Sequence, residues 1–433
     1  MSLADTIERK IRAERATRLK RLALPSEFIA PNYGGRSIAN LAASIIRILG
    51  GTIRTAPLEP ALIQDFATGV DRIVLVIADA VGYVRLIETL ETNPHNGFHA
   101  LLRAGARLAP LTSVFPSTTT AALTTLWSGY TPAEHGLVGY QLFLRDYGAR
   151  TEMIGFSPVA TKELGSEQLL AAGLEPDKFL AAPSLPQTLA PVGAPVYHFI
   201  EEPYVESALA RVQIRGARET RGFVSSSDMW VALREHVEAH RAERALFVAY
   251  WSAADSIAHR YGASSETVVA EINNLAFSGE REFLRRLSPA ARAGTLFLFV
   301  ADHGQIDTPP HAAVCLRDHP RLRDRLLMDF TGDPRAAYLY CRNGEVEAVR
   351  EYFKTHLADE FVVVEARSAL EGGLFGSGDI APEVKHRLGD LIVLARGNSF
   401  LWDRAEESKM LGRHGGLAAE EMLVPLIAAR LDG

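Results

Sequence analysis

The chain has 433 residues, 47% of them hydrophobic, and a formal net charge of −6. That length suits one large α/β domain with insertions, or two domains, and the acidic balance excludes a general nucleic-acid binder, which would be basic. Two cysteines, Cys315 and Cys341, exclude a disulfide framework, and no apolar run approaches the ~20 residues of a membrane span.

The N-terminal stretch MSLADTIERKIRAERATRLKRL has no apolar h-region and reads as a charged helix with a solvated face, in a protein expected in the cytoplasm. In SIANLAASIIRILGG, residues Ile38, Leu41, Ile45 and Leu49 recur at helical spacing before Gly50-Gly51 stops the helix, so residues 1–55 form an N-terminal helical segment. DRIVLVIAD follows, a buried strand of the parallel type leading to Asp79. VFPSTTTAALTTLWSGYTPAEHGL then sets four hydroxyls, Ser117 to Thr120, between a proline and an alanine-rich helical run. Such a cluster serves a turn, a helix N-cap, or a nucleophile that something else activates.

Residues 140–230 hold Pro/Gly-rich loops that suggest a second elaboration. ERALFVAYWSAAD carries a strand toward Asp255, SSETVVAEINNLAFSGEREFLRRL a long helix, and TLFLFVADHGQ a strand toward Asp302. Strands alternating with helices predict an α/β fold, a mostly parallel central sheet sandwiched by helices. From 305 to 413 the rhythm changes: RAAYLYC, FVVVEA and DLIVLA read as strands and EVEAVREYFKTHL as a helix, a small α+β insertion. Phe400 and Trp402 of NSFLWDR read as its local core before they read as a base-stacking pair. The expected organisation is 1–55 helical, 56–304 with 414–433 as the catalytic core, and 305–413 as an inserted cap.

Ligands bind beyond the carboxyl ends of strands in open α/β sheets, and three strands here lead toward Asp79, Asp255 and Asp302. Carboxylates brought together resist ionisation, a conflict that a bound cation removes. Histidines accompany them: His259 lies four residues after Asp255, on the same helix face, His303 adjoins Asp302, and His414 sits among glycines in GRHGGL. These six N/O ligands suit two zinc-like ions with open positions, with Mn²⁺ as the other candidate. Two divalent ions outweigh three carboxylates, and the positive excess would attract a phosphate and lower the pKa of a nearby hydroxyl.

The ordered set IADAVG, FPSTTTAALTTLWSGYTPAEHG, DSIAHRYG, ADHGQ and GRHGGL resembles the alkaline phosphatase superfamily, in its type I phosphodiesterase/nucleotide pyrophosphatase branch, over residues 73–416. The resemblance implies an alkaline-phosphatase-like fold. It implies one metal on Asp255, His259 and His414, and a second on Asp79, Asp302, His303 and the nucleophile. It puts that nucleophile at Thr119, with Thr118 and Thr120 as neighbours to test and Ser117 last. The implied activity is two-metal phosphodiesterase or nucleotide pyrophosphatase chemistry through a phospho-threonine. The expected partner is a small-molecule phosphoester, nucleotides among the candidates, and neither a nucleic-acid polymer nor a membrane. The alternatives are a phosphomonoesterase or phosphonate hydrolase of the same superfamily and, in another class, a non-catalytic metal-binding protein.

Overall fold

A computed structural model describes residues 2–18, 22, 24–403 and 408–433. The three apolar runs become the adjacent strands Thr295–Val300, Arg72–Ala78 and Ala245–Trp251, in that order, at the centre of a seven-stranded sheet. They pair in parallel, with Ile73 opposite Leu246 on one side and Leu296 on the other. Every residue of all three is buried, which is why they read as unbroken apolar runs. Val196–Glu201 and Glu219–Phe223 extend the sheet in parallel beyond Ala245–Trp251. On the other side Leu423–Arg430 runs antiparallel between Thr295–Val300 and the edge strand Arg107–Thr112.

Helices cover the faces. Ile38–Ile48 buries nine of its residues and packs on the short helix Thr119–Leu126. The long helix expected after residue 264 runs as Glu266–Ser278 and continues into a π-helical turn, Gly279–Leu284. At the N-terminus, Leu3–Arg18 is helical and buries Ile7 and Ile11. Residues 19–21 and 23 of the basic stretch lie outside the described residues.

A second, antiparallel sheet runs in the order Phe361–Glu365, Leu391–Ala395, Ala336–Leu339, Thr331–Asp333, Gln141–Leu144, Ala149–Glu152, Ser157–Pro158. It is wider than the strands read from 305–413 alone, because residues 141–158 add three strands to it. Its pleat alternates between two cores. Ala336, Tyr338, Ile392 and Leu394 face the main core, whereas Ala337, Leu339, Leu391 and Val393 face a satellite core with Val349 and Phe353 of the helix Val346–His356.

Candidate active site

The carboxyl edge of the central strands collects the predicted residues. Asp79 directly follows Arg72–Ala78, and Asp302 and His303 follow Thr295–Val300. Ala245–Trp251 feeds the helix Ala253–Tyr261, which presents Asp255 and His259 one turn apart. His414 arrives on the last segment before Leu423–Arg430, where Gly412–Arg413 pairs antiparallel with Ile306–Asp307 and is thereby clamped beside the His303 turn. Two glycines make these approaches possible. A Cβ on Gly304 would lie 2.0 Å from the Glu420 carbonyl oxygen, and Gly415 has φ +109° with Asp333 Cβ 2.7 Å from where its own Cβ would be.

The side chains form two triads, Asp79–Asp302–His303 and Asp255–His259–His414, each with its ligand atoms within 4.8 Å of one another. His303 Nε2 is 3.4 Å from both Asp79 Oδ1 and Asp302 Oδ2. His259 Nε2 is 3.3 Å and His414 Nε2 3.7 Å from Asp255 Oδ1. The His303 and His414 rings stack at 3.8 Å and join the triads. Each histidine is oriented from behind: Nδ1 of His259 meets the Gly412 carbonyl at 2.8 Å, that of His303 the Gly304 carbonyl at 3.1 Å, and that of His414 the Ser117 carbonyl at 3.1 Å. A carbonyl accepts only from an N–H, so each Nε2 turns a lone pair toward the triads, as metal-ligating imidazoles do.

The electrostatics show the same need. Burial, reinforced by the charges of Asp302 and Asp255, drives the Asp79 carboxyl well above the usual range. Burial also raises Asp302. His414 is pushed well down by burial and by the neighbouring His303 and His259. Asp79 Oδ1 and Asp302 Oδ2 are buried without a hydrogen-bond donor, which a native structure avoids unless something else neutralises them. Hard carboxylate oxygens, neutral imidazole nitrogens and orphaned buried charge together fit divalent cations.

The hydroxyl cluster splits by role. Ser117 Oγ donates to the Gly416 carbonyl at 2.8 Å, and Thr120 Oγ1 to the Gly139 carbonyl at 2.8 Å. Thr118 holds the N-cap position without capping, because its hydroxyl donates to Asp333 Oδ1 at 2.8 Å. Thr119 is the first helical residue, and its Oγ1 lies 3.1 Å from His303 Nε2. The first-turn amides of this helix have no intrahelical acceptor and no side-chain cap, so they remain open to an anion.

Several contributors were not legible as site residues. The Tyr250 hydroxyl donates to Asp79 Oδ2, and Gln305 Nε2 to Asp255 Oδ1. Gln305 closes the motif ADHGQ, and Tyr250 lies on the strand stretch ERALFVAYWSAAD, so the turn after His303 and strand alternation were the available signals. Asp333 comes from the second sheet. It is buried, accepts from Thr118 and from the Tyr140 N–H at 3.2 Å, and its pKa is raised to about 6 by burial. The fully buried pair Arg335–Glu421, at 2.6 and 2.9 Å, carries the Gly416 and Ala418 amides on Glu421 and so braces the His414 loop. Phe400 and Trp402 flank the Arg413 guanidinium, 3.6 Å above the Phe400 ring, so they serve the same loop.

Among the described residues, no helix is long and apolar enough to cross a membrane. The type I phosphodiesterase / nucleotide pyrophosphatase family model matches residues 73–417. No curated protein sequence matches the chain. The fold is shared with solved structures of low identity. Murine ectonucleotide pyrophosphatase/phosphodiesterase 5 has 18% identity and a TM-score of 0.62, with 82% of this chain and 87% of that one covered. An inactive threonine-to-alanine variant of that mouse protein, in complex with AMP, has 17% identity and a TM-score of 0.60 over the same shares. Phosphonoacetate hydrolase from Sinorhizobium meliloti, in complex with phosphonoformate, has 18% identity and a TM-score of 0.56, with 82% of this chain and 89% of that one covered.

Proposed function

The chain belongs to the type I phosphodiesterase/nucleotide pyrophosphatase family, and we propose that it is a two-metal phosphodiesterase or nucleotide pyrophosphatase acting through a phospho-threonine at Thr119. Membership supports a phosphoester hydrolase. The observation that carries the finer reading is one hydroxyl, Thr119 Oγ1, at an uncapped helix N-terminus, 3.1 Å from His303 Nε2 and beside two triads with orphaned carboxylate oxygens.

Asp79, Asp302 and His303, with Thr119, would hold one divalent ion and Asp255, His259 and His414 the other, zinc being favoured by the imidazole share of the ligands. When bound, the ions supply charge stabilisation at the attacking and leaving oxygens and acidify the hydroxyl and a water. The protein residues do the rest. The open amides at the start of Thr119–Leu126 bind a phosphoryl oxygen. Thr119 Oγ1 gives its proton to solvent and attacks phosphorus in line; the Oγ1–P bond forms as the P–O bond to the leaving group breaks, and the departing alkoxide takes a proton from water. Water then attacks phosphorus from the vacated side, and the Oγ1–P bond breaks to return the threonine. Tyr250 holds Asp79 in place and Gln305 holds Asp255. The inactive threonine-to-alanine variant of the structural neighbour, bound to AMP, supports a threonine-dependent reaction on this fold and a nucleotide as a candidate substrate.

A phosphomonoesterase or phosphonate hydrolase would use the same core, and the likeness to phosphonoacetate hydrolase supports that alternative at the level of fold. Hydrolysis of bis(p-nitrophenyl) phosphate against p-nitrophenyl phosphate, with Zn²⁺ or Mn²⁺ added, separates the readings. A diester preference is expected, with turnover falling by ~10³-fold or more in Thr119→Ala while metal content holds. Near wild-type turnover in that variant removes Thr119 from the reaction, and a monoester preference moves the protein to the phosphatase side.

A further inference from the structure

A cavity of about 120 Å³ leads away from Asp79, Thr119 and Asp255. Its walls include Leu123, Trp127, Leu209 and Ala210, all buried, and Ile154 and Tyr204, more exposed, stand at its mouth. His198 and Ile200 enter the same wall because they alternate onto one face of the strand Val196–Glu201. The His198 ring is 2% exposed and meets Trp127 edge-on at 4.8 Å. Its Nδ1 has no hydrogen-bond partner. Burial lowers its pKa to about 3, so the ring is neutral at physiological pH. No lysine or arginine is among the residues that line the cavity.

We infer that this cavity receives the organic group of the phosphoester, that the part of the group it encloses is a single uncharged ring or a branched alkyl chain, and that His198 recognises a hydroxyl or amide carried on it. The inference rests on the phosphoester reading of the adjoining triads. Size sets the first limit, since an apolar cavity of ~150 Å³ admits benzene; of a nucleoside only one ring would be enclosed, and the rest would lie outside the cavity. Charge sets the second. A carboxylate or a second phosphate placed at the His198 end of the cavity, away from the triads, would be desolvated with no lysine or arginine beside it. Hydrogen bonding sets the third. A neutral imidazole offers its free nitrogen as a donor or an acceptor according to tautomer, and a hydroxyl satisfies either. A site with a buried polar atom to satisfy discriminates against ligands that leave it unpaired.

The test is calorimetric binding to the full chain loaded with Zn²⁺, using inorganic phosphate, methylphosphonate, phenylphosphonate, meta- and para-hydroxyphenylphosphonate, and phosphonoacetate. Phenylphosphonate is expected to bind about tenfold or more tighter than methylphosphonate and tighter than phosphonoacetate, with one hydroxyphenyl isomer tighter again. Ala210→Trp fills the cavity and should erase the phenyl-over-methyl difference while inorganic phosphate binds as before. His198→Phe should keep that difference and erase the hydroxyl gain. Equal affinities for phenyl- and methylphosphonate in the wild type, or phosphonoacetate as the tightest ligand, overturn the inference without touching the phosphoester reading, because phosphate still binds and diesters still turn over. Absence of both phosphate binding and turnover overturns the phosphoester reading and this inference with it.

Discussion

The two triads use the same chemistry in different surroundings. Side chains of Asp79, Asp302 and His303 are at most 2% exposed, whereas Asp255, His259 and His414 range from 11% to 21%. The buried triad is built from the ends of two central strands, so rigid elements hold it. The outer triad takes two ligands from one helix and the third from a loop that Arg335 and Glu421 brace from the second sheet. The buried carboxylates have lost more hydration and therefore need a cation more. The outer triad is reached by solvent and depends on a distant support. On the proposed two-metal reading, the buried triad would retain its ion and the outer triad would exchange its ion more readily.

The largest expected effect sharpens this contrast. His303→Ala should lower turnover by at least ~100-fold and perturb both sites, since its ring touches Thr119, the proposed nucleophile, and stacks on His414. His259→Ala should cost one metal equivalent and leave the other; elemental analysis returning two equivalents would remove His259 from the ligand set. Timed exposure of the metal-loaded protein to a chelator should release metal in two phases, the faster one disappearing in His259→Ala. A single phase would erase the distinction between the sites.

Arg335→Met tests the brace. Removing one partner of a buried ion pair costs about 3–5 kcal/mol, so a lowered denaturation midpoint is expected together with weaker metal retention in the outer site alone. Equal loss from both sites would make the pair a general stabiliser. The smallest effect concerns Asp333, whose pKa is raised from 3.8 to about 6. The folded protein keeps this proton to higher pH than the unfolded chain does. Stability is therefore lost as pH rises from about 4 to about 6, by on the order of 2–3 kcal/mol, and is level above that. Asp333→Asn should flatten the window in urea titrations across pH; an unchanged profile would mean that Asp333 ionises normally.

Much of the centre was legible because short local patterns carry it. Asp79, Asp255 and Asp302 follow apolar strands whose burial on both faces leaves an unmistakable run. His259 and His303 are fixed to them by helix and turn spacing. The remaining strands of the central sheet were harder to see for identifiable reasons. Glu219–Phe223 is an edge strand with a glycine and charged residues. Leu423–Arg430 contains Pro425, which ordinarily argues against an inner strand. Pro425 is tolerated because pairing with Thr295–Val300 begins only at Leu426, and on the other side it faces Pro110. Asp333 and Arg335 had no local signal at all, since what they do depends on a sheet assembled from segments more than 170 residues apart.

That late strand has a consequence for biosynthesis. Leu423–Arg430 separates Arg107–Thr112 from Thr295–Val300, and the segment just before it delivers His414. Arg107–Thr112 must therefore wait for some three hundred residues of chain to emerge before its partner exists. Contacts of such separation form slowly and leave a strand edge unpaired meanwhile. A ribosome-bound chain that already holds Thr119 and most of the two triads would be an assembly intermediate in need of shielding, and the site would be completed only as Leu423–Arg430 closes the sheet.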